Sequence, residues 1–112
     1  MPVKMDQIKG DAKKLAALFT FMKKEHNDEN FSFYFDKGNS EALYAKYIAK
    51  NAAKQVNLPG NIMQGLHGMA SLKNWKAMDA GMKAAKENIL KMVNADVMPR
   101  FERSPEWKAV AG

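Results

Sequence analysis

A chain of 112 residues, 46% hydrophobic and 27% charged, has the make-up of one soluble globular domain, expected to span 1–112. It holds no cysteine, which excludes disulfide scaffolds, thiolate chemistry and cysteine-based zinc sites. A formal net charge of +6 favours acidic partners, anionic membranes or nucleic acid only weakly, because the lysines are dispersed or paired, as in Lys13-Lys14 and Lys23-Lys24.

The first strong helical signal runs from about Asp11 to His26, where Leu15, Leu18, Phe19 and Met22 fall on one face. Asn27 is placed to cap a second helix, with Asp28 and Glu29 in the first turn, where their charge complements the positive helix end. Phe31, Tyr34 and Phe35 share a face of that helix and Phe33 lies on another side, so a short helix wedged between neighbours is expected. "DKGNS" breaks it, and Ser40 is expected to cap a third helix through Leu43, Tyr44, Tyr47 and Ile48. Pro59 and Gly60 punctuate a turn, followed by a weaker helical piece interrupted by Gly65 and Gly68. Ser71 then opens the longest helix, whose stripe is Trp75, Met78, Met82, Ala85, Ile89 and Met92. Gly81 in its middle costs ~1 kcal/mol relative to Ala and marks a bend or a close packing. Pro99 terminates or kinks this helix, and Ser104 before Pro105 caps a last one carrying Trp107 and Val110. No alternating strand pattern competes, so the expected class is all-α.

Little in the chain resembles an active site. His26 and His67 are isolated from each other and from any ligand-spaced partner, and no metal or cofactor is expected. There is no nucleophile elbow, and the glycines at 60, 65 and 68 lack phosphate-loop spacing. Asp28 and Glu29 are adjacent on a helix and point apart, a poor acid–base pair. The run "FSFYF" lacks the arginines or the strand context of a base-stacking platform, so nucleic acid is not an expected partner. Three polar groups remain: "NDEN", the Gln55-Val56-Asn57-Leu58 loop, and Asp96-Val97-Met98-Pro99-Arg100. Each alone reads as structural, namely a cap, a turn and an Asp96–Arg100 ion pair.

Taken together and in this order, these segments resemble the regulator of G-protein signalling (RGS) domain. "FTFMKKEHNDENFSFYF" is similar to the family's F-x-x-F-L-x-x-E-x-S-E-E-N-[IL]-x-F-W signature. "LYAKYIAKNAAKQVNL" is similar to its I-Y-x-x-[FY]-I-x-x-x-A-x-x-x-[VI]-N-[LI] helix end. "NILKMVNADVMPRFERSPEW" is similar to its [IV]-x-x-L-M-x-x-D-S-[FY]-x-R-F-L-x-S-x-x-[FY] segment. The matches cover most of residues 15–107. The resemblance implies an all-α, two-lobed helical bundle that binds the switch regions of an activated heterotrimeric G-protein α subunit (Gα), GTP-bound or in its transition state. It would accelerate GTP hydrolysis there without catalytic residues of its own. Position by position, it implies a first contact loop of Asn27, Glu29 and Asn30, and a second of Gln55, Asn57 and Leu58. The third set is Met92, Asp96, Val97 and Arg100, in which the arginine steadies the aspartate. Of these, the asparagine at Asn57 is the most sensitive single contact in the family.

The chain departs from the family pattern at several points. Gln55 replaces a usual Glu, Val97 a usual Ser, and Tyr34 a usual Trp. The charged helix-turn-helix extension that usually follows the second helix is mostly missing, so a shortened bundle lobe is expected. The stretch "LPGNIMQGLHGMASLKNW" follows the pattern poorly. These departures and the +6 charge leave an alternative open: a non-catalytic interaction module of RGS fold that binds another protein or an anionic membrane surface. Nucleic-acid binding through the lysines is a weaker third reading. No segment resembles a signal peptide or has the length of a membrane span, so a cytoplasmic monomer is expected, with peripheral contact at the inner face of the plasma membrane left open.

Overall fold

The computed structural model describes residues 3–111, and every regular element among them is helical. A single 3-10 turn, Met5–Ile8, precedes α1, Ala12–Lys24. Asp11 starts α1 as read from the sequence, its carboxylate accepting the N–H groups of Lys13 and Lys14, both at 3.1 Å. The helix stops two residues short of the expected His26 through a Schellman closure: Asn27 N–H donates to Met22 O at 3.0 Å and His26 N–H to Lys23 O at 3.1 Å. His26 takes φ 60°, a left-handed value that this closure usually assigns to glycine.

The second helix, α2, is Asp28–Phe35, and α3, Ser40–Leu43, follows after four residues. Helix α3 runs into a π-helical turn, Tyr44–Ile48, closed by Ala49 N–H donating to Tyr44 O at 2.9 Å. Helix α4 is Gly60–Ser71 and α5 is Trp75–Met92. A second π turn, Val93–Val97, joins α5 to α6, Met98–Glu102, and α7 is Pro105–Val110.

Three sequence expectations shift. Asn39, not Ser40, caps α3, accepting the Ala42 N–H at 2.9 Å, while Ser40 is buried and its hydroxyl donates to Asp79. Ser71 ends α4 instead of opening α5, and Asn74 accepts the Ala77 N–H at 3.2 Å at the start of α5. In α2 the fully buried ring is Phe33, and Phe31, Tyr34 and Phe35 are half-buried. An eight-residue helix covered on several sides has no single apolar face for a periodicity to find. The Ser104 cap is as expected, with its hydroxyl accepting the Trp107 N–H at 3.2 Å.

The chain divides into two units, the division falling inside α2 and inside α5. One unit joins the two ends of the chain, up to Phe31 and from Leu90. Within it α1 packs along α7, with Lys24 Nζ 2.5 Å from Glu106 Oε2 and Lys14 over the Trp107 ring. Phe101 is fully buried between Phe21 and Trp107, at centroid distances of 5.6 and 5.4 Å. The N-terminal turn is tied down where Met5 N–H donates to Asn94 Oδ1 at 2.8 Å and Val3 N–H to the Glu102 carboxylate.

The other unit, Ser32–Ile89, buries Phe33 against Tyr47 at a centroid distance of 5.2 Å. Its α2–α3 connection is only four residues long, and Asp36 holds it together. Asp36 Oδ1 accepts the Gly38 N–H at 2.9 Å, its Oδ2 accepts the Tyr47 hydroxyl at 2.8 Å, and its carbonyl accepts Lys86 Nζ at 2.6 Å. Burial, then the hydrogen bond to Asp36, pushes the Tyr47 hydroxyl well above its ordinary range, whereas burial lowers the Lys86 ammonium. Gly81 marks close packing: a Cβ there would stand 2.9 Å from Met69 Cε and 3.0 Å from Leu66 Cδ2.

Candidate functional site

Seven of the ten residues singled out in the sequence lie in the unit formed by the chain ends, and Gln55, Asn57 and Leu58 lie in the other. In the first unit the organising group is Arg100. Its Nε and Nη2 donate to Glu25 Oε2 and Oε1, both at 2.9 Å, a two-point fork. Its Nη1 donates to Asp96 Oδ1 at 2.7 Å and to the Asp96 carbonyl at 2.9 Å. One guanidinium thus spans the C-cap of α1 and the π turn Val93–Val97. Hydrogen bonds first to Glu25 and then to Asp96 raise the Arg100 pKa further, so it stays charged at any working pH.

Exposure grades along this chain of charges. Glu25 is 24% exposed, Arg100 40% and Asp96 65%, so the structure supports the arginine from behind and offers the aspartate to solvent. The expected Asp96–Arg100 ion pair is present. Glu25 was not among the candidates, although the acidic position that opens "EHNDEN" in the quoted signature carried the signal.

The π turn follows from Pro99. Proline has no N–H and its ring crowds the carbonyl four residues back, so a regular helix cannot run through this point. The backbone widens by one residue, with Met98 N–H donating to Val93 O, and Asp96 projects from the widened turn. Val97, expected at the contact surface, is fully buried and offers no area there; Met92 is half-buried.

Asn27 and Asn30 depart from the capping argument. Asn27 stands at the N-cap position, yet its Oδ1 is buried without a hydrogen-bond partner among the described residues, and its backbone carbonyl accepts the Asn30 N–H at 3.2 Å. Asn30 is 6% exposed and its Oδ1 is likewise buried without a partner. A buried acceptor left without a donor costs about 1–3 kcal/mol. Glu29, between them, is half-buried.

In the second unit, residues 55–58 alternate. Val56 and Leu58 are buried at 2% and 7% exposure, and Gln55 and Asn57 are exposed. Two apolar pegs therefore fix the loop, and Val56 N–H donates to Tyr47 O at 2.9 Å in the first π turn. Gln55 Nε2 donates to Ala49 O at 3.2 Å, which turns it back on its own loop. The Asn57 side chain is left facing solvent with no intramolecular bond among the described residues.

Among the described residues no group of three or more His, Asp or Glu side chains is arranged to hold a metal. No helix among them is long and apolar enough to cross a membrane. A family model described as the regulator of G protein signaling domain matches residues 4–110. No curated protein matches the chain.

Proposed function

This chain belongs to the regulator of G protein signaling domain family, and on that premise we propose that it binds the switch regions of an activated heterotrimeric G-protein α subunit and accelerates its GTP hydrolysis. The observation that carries the reading is the Glu25–Arg100–Asp96 relay, which presents a solvent-facing carboxylate in a fixed orientation. Such a group is suited to accept hydrogen bonds from a partner's backbone or hydroxyls with little ordering left to do on binding. Asn57 supplies a second exposed polar group on a pinned loop, able both to donate and to accept.

The chain contributes no nucleophile or base in this reading. Gα carries its own arginine and water-orienting glutamine, so a regulator need only hold the switch segments in the arrangement of the transition state. Asp96 and Asn57 are read as direct contacts, as are, each within its own unit, Asn27, Glu29, Asn30 and Met92 in the first and Gln55 in the second. Arg100 and Glu25 position Asp96, and Val97 and Leu58 act from the core by fixing their loops. The protein would act as a cytoplasmic monomer, with residues 1–112 as one functional domain.

Single-turnover GTP hydrolysis by a panel of Gα subunits tests this. Wild type should raise the hydrolysis rate, and Asn57→Ala should lower the acceleration at least about ten-fold, the effect of one lost transition-state contact. Because Asn57 is exposed, its thermal midpoint should not move. No acceleration with any subunit, or full acceleration by Asn57→Ala, would sink the reading.

A further inference from the structure

Residues 42–78 contain five lysines and no aspartate, glutamate or arginine. This third of the chain therefore holds +5 of the net +6, a concentration that the pairwise scatter of lysines conceals. Within it, Lys50, Lys54, Lys73 and Lys76 are exposed, and none of them is ion-paired among the described residues.

The turn between α4 and α5 adds an apolar group to this field. Leu72 is 79% exposed, unlike any other large hydrophobic residue described. It is held out by a Schellman closure in which Lys73 N–H donates to Ala70 O at 3.0 Å and Asn74 N–H to Met69 O at 2.9 Å. Lys73 takes a left-handed φ of 53° to complete it. Trp75, three residues on, is half-buried, with its ring 6.0 Å from Tyr44, whose hydroxyl shares a 2.6 Å hydrogen bond with His67. An exposed leucine, exposed lysines and amphipathic Trp and Tyr rings in one segment are the groups that suit the acyl chains, anionic headgroups and interface of a bilayer.

We propose that the α4–α5 turn is an attachment surface for an anionic lipid bilayer, with Leu72 entering the acyl boundary and Lys73 and Lys76 on the headgroups. Charge complementarity selects the partner. A nucleic-acid site would draw on arginine forks, which this segment lacks, and has no use for an exposed leucine. One leucine and a few lysines give a weak, reversible attachment. The inference does not rest on the Gα reading.

Co-sedimentation of the purified chain with phosphatidylserine–phosphatidylcholine vesicles tests it, with phosphatidylcholine alone as the control. Binding should require phosphatidylserine and weaken as salt rises. Leu72→Asp should lower partitioning at least about ten-fold, and Lys73→Gln and Lys76→Gln about five-fold each, with unchanged circular dichroism because all three side chains are exposed. In a Trp107→Phe background, the emission of Trp75 should shift to the blue on binding. Failure to bind phosphatidylserine vesicles, equal binding by Leu72→Asp, or vesicle binding that leaves Trp75 emission unmoved would each overturn the proposal. Retention on duplex DNA without vesicle binding would assign the charge to nucleic acid and overturn it as well.

Discussion

His26 and Lys73 hold left-handed backbone conformations, at φ 60° and 53°, each at the closing position of a helix where glycine is the unstrained choice. The left-handed conformation costs a residue with a Cβ about 1–2 kcal/mol, and glycine's extra freedom in the unfolded chain returns roughly 0.5–1 kcal/mol of that. His26→Gly and Lys73→Gly should therefore each raise unfolding stability by about 0.5–1 kcal/mol in urea titrations; a loss on substituting His26 would mean that its imidazole contributes a contact worth more than the strain. Next to His26, Asn27 carries a carbonyl oxygen with no donor, and Asn30 repeats this three residues on. None of this was legible from residue types, because Asn before two acids is what a good cap looks like. The sequence argument placed the residue correctly and its hydrogen bond wrongly, since the cap bond depends on a side-chain rotation that the neighbours set.

The elements that the sequence made legible are those whose start is fixed by one strong cap and whose face is long enough to show a period. Helix α1 with Asp11 and α7 with Ser104 have such a cap, and α5 shows the period from Trp75 to Met92 although its start was misplaced. Where two capping residues stand close together the choice is not legible: burial of Ser40 leaves Asn39 to cap α3, and the closure of α4 after Ser71 leaves Asn74 to start α5. The contact loops were legible by resemblance alone: residues 55–58 have no helical period, and the in-out alternation of Val56 and Leu58 emerges only once a core exists to receive them. The α2–α3 connection was read as a loss, yet it has its own lock in Asp36. Its carboxyl lies below the ordinary value of 3.8, held first by the Gly38 N–H and then by the Tyr47 hydroxyl. Since the folded pKa is the lower one, the unfolded chain binds more protons. The contribution is therefore full above about 4 and lost as pH falls through the folded value. Asp36 is 25% exposed, so Asp36→Asn should cost about 1 kcal/mol at neutral pH. The gap between the two proteins should shrink as pH falls below the ordinary carboxylate range, as urea titrations at neutral and acid pH would show. A gap that stays constant with pH would mean that shape, not charge, sets the lock.

Across the whole molecule the charge is uneven, and this has a cost in the folded state. With +5 on residues 42–78 and no acid among them, folding gathers like charges that an expanded chain keeps apart. Three of these lysines lie where the first π turn meets the loop that follows it. There Lys54 N–H donates to Lys46 O at 3.3 Å, which brings two lysine backbones side by side with Lys50 between them in sequence. Lys46 is partly compensated by Asp36 Oδ2 at 3.5 Å, whereas Lys50 and Lys54 have no ion-pair partner among the described residues. Exposed like charges at such spacing repel by a few tenths of a kcal/mol in dilute buffer, and salt removes most of this because the screening length falls from ~30 Å at 0.01 M to ~3 Å at 1 M. Lys54→Gln should accordingly stabilise the protein by about 0.3–0.5 kcal/mol at low ionic strength and by nothing measurable at high. Wild type itself should gain stability over the first part of the salt range. The Arg100–Glu25–Asp96 relay is expected to weaken over the same range, but its forked hydrogen bonds to a half-buried carboxylate are screened less than open surface charges. The two proteins compared as a function of salt separate these effects, since only the repulsive one differs between them. Equal stabilities at low salt, or a difference that persists at high salt, would show that the lysines are kept apart in the fold and that their concentration in the sequence does not extend to the surface.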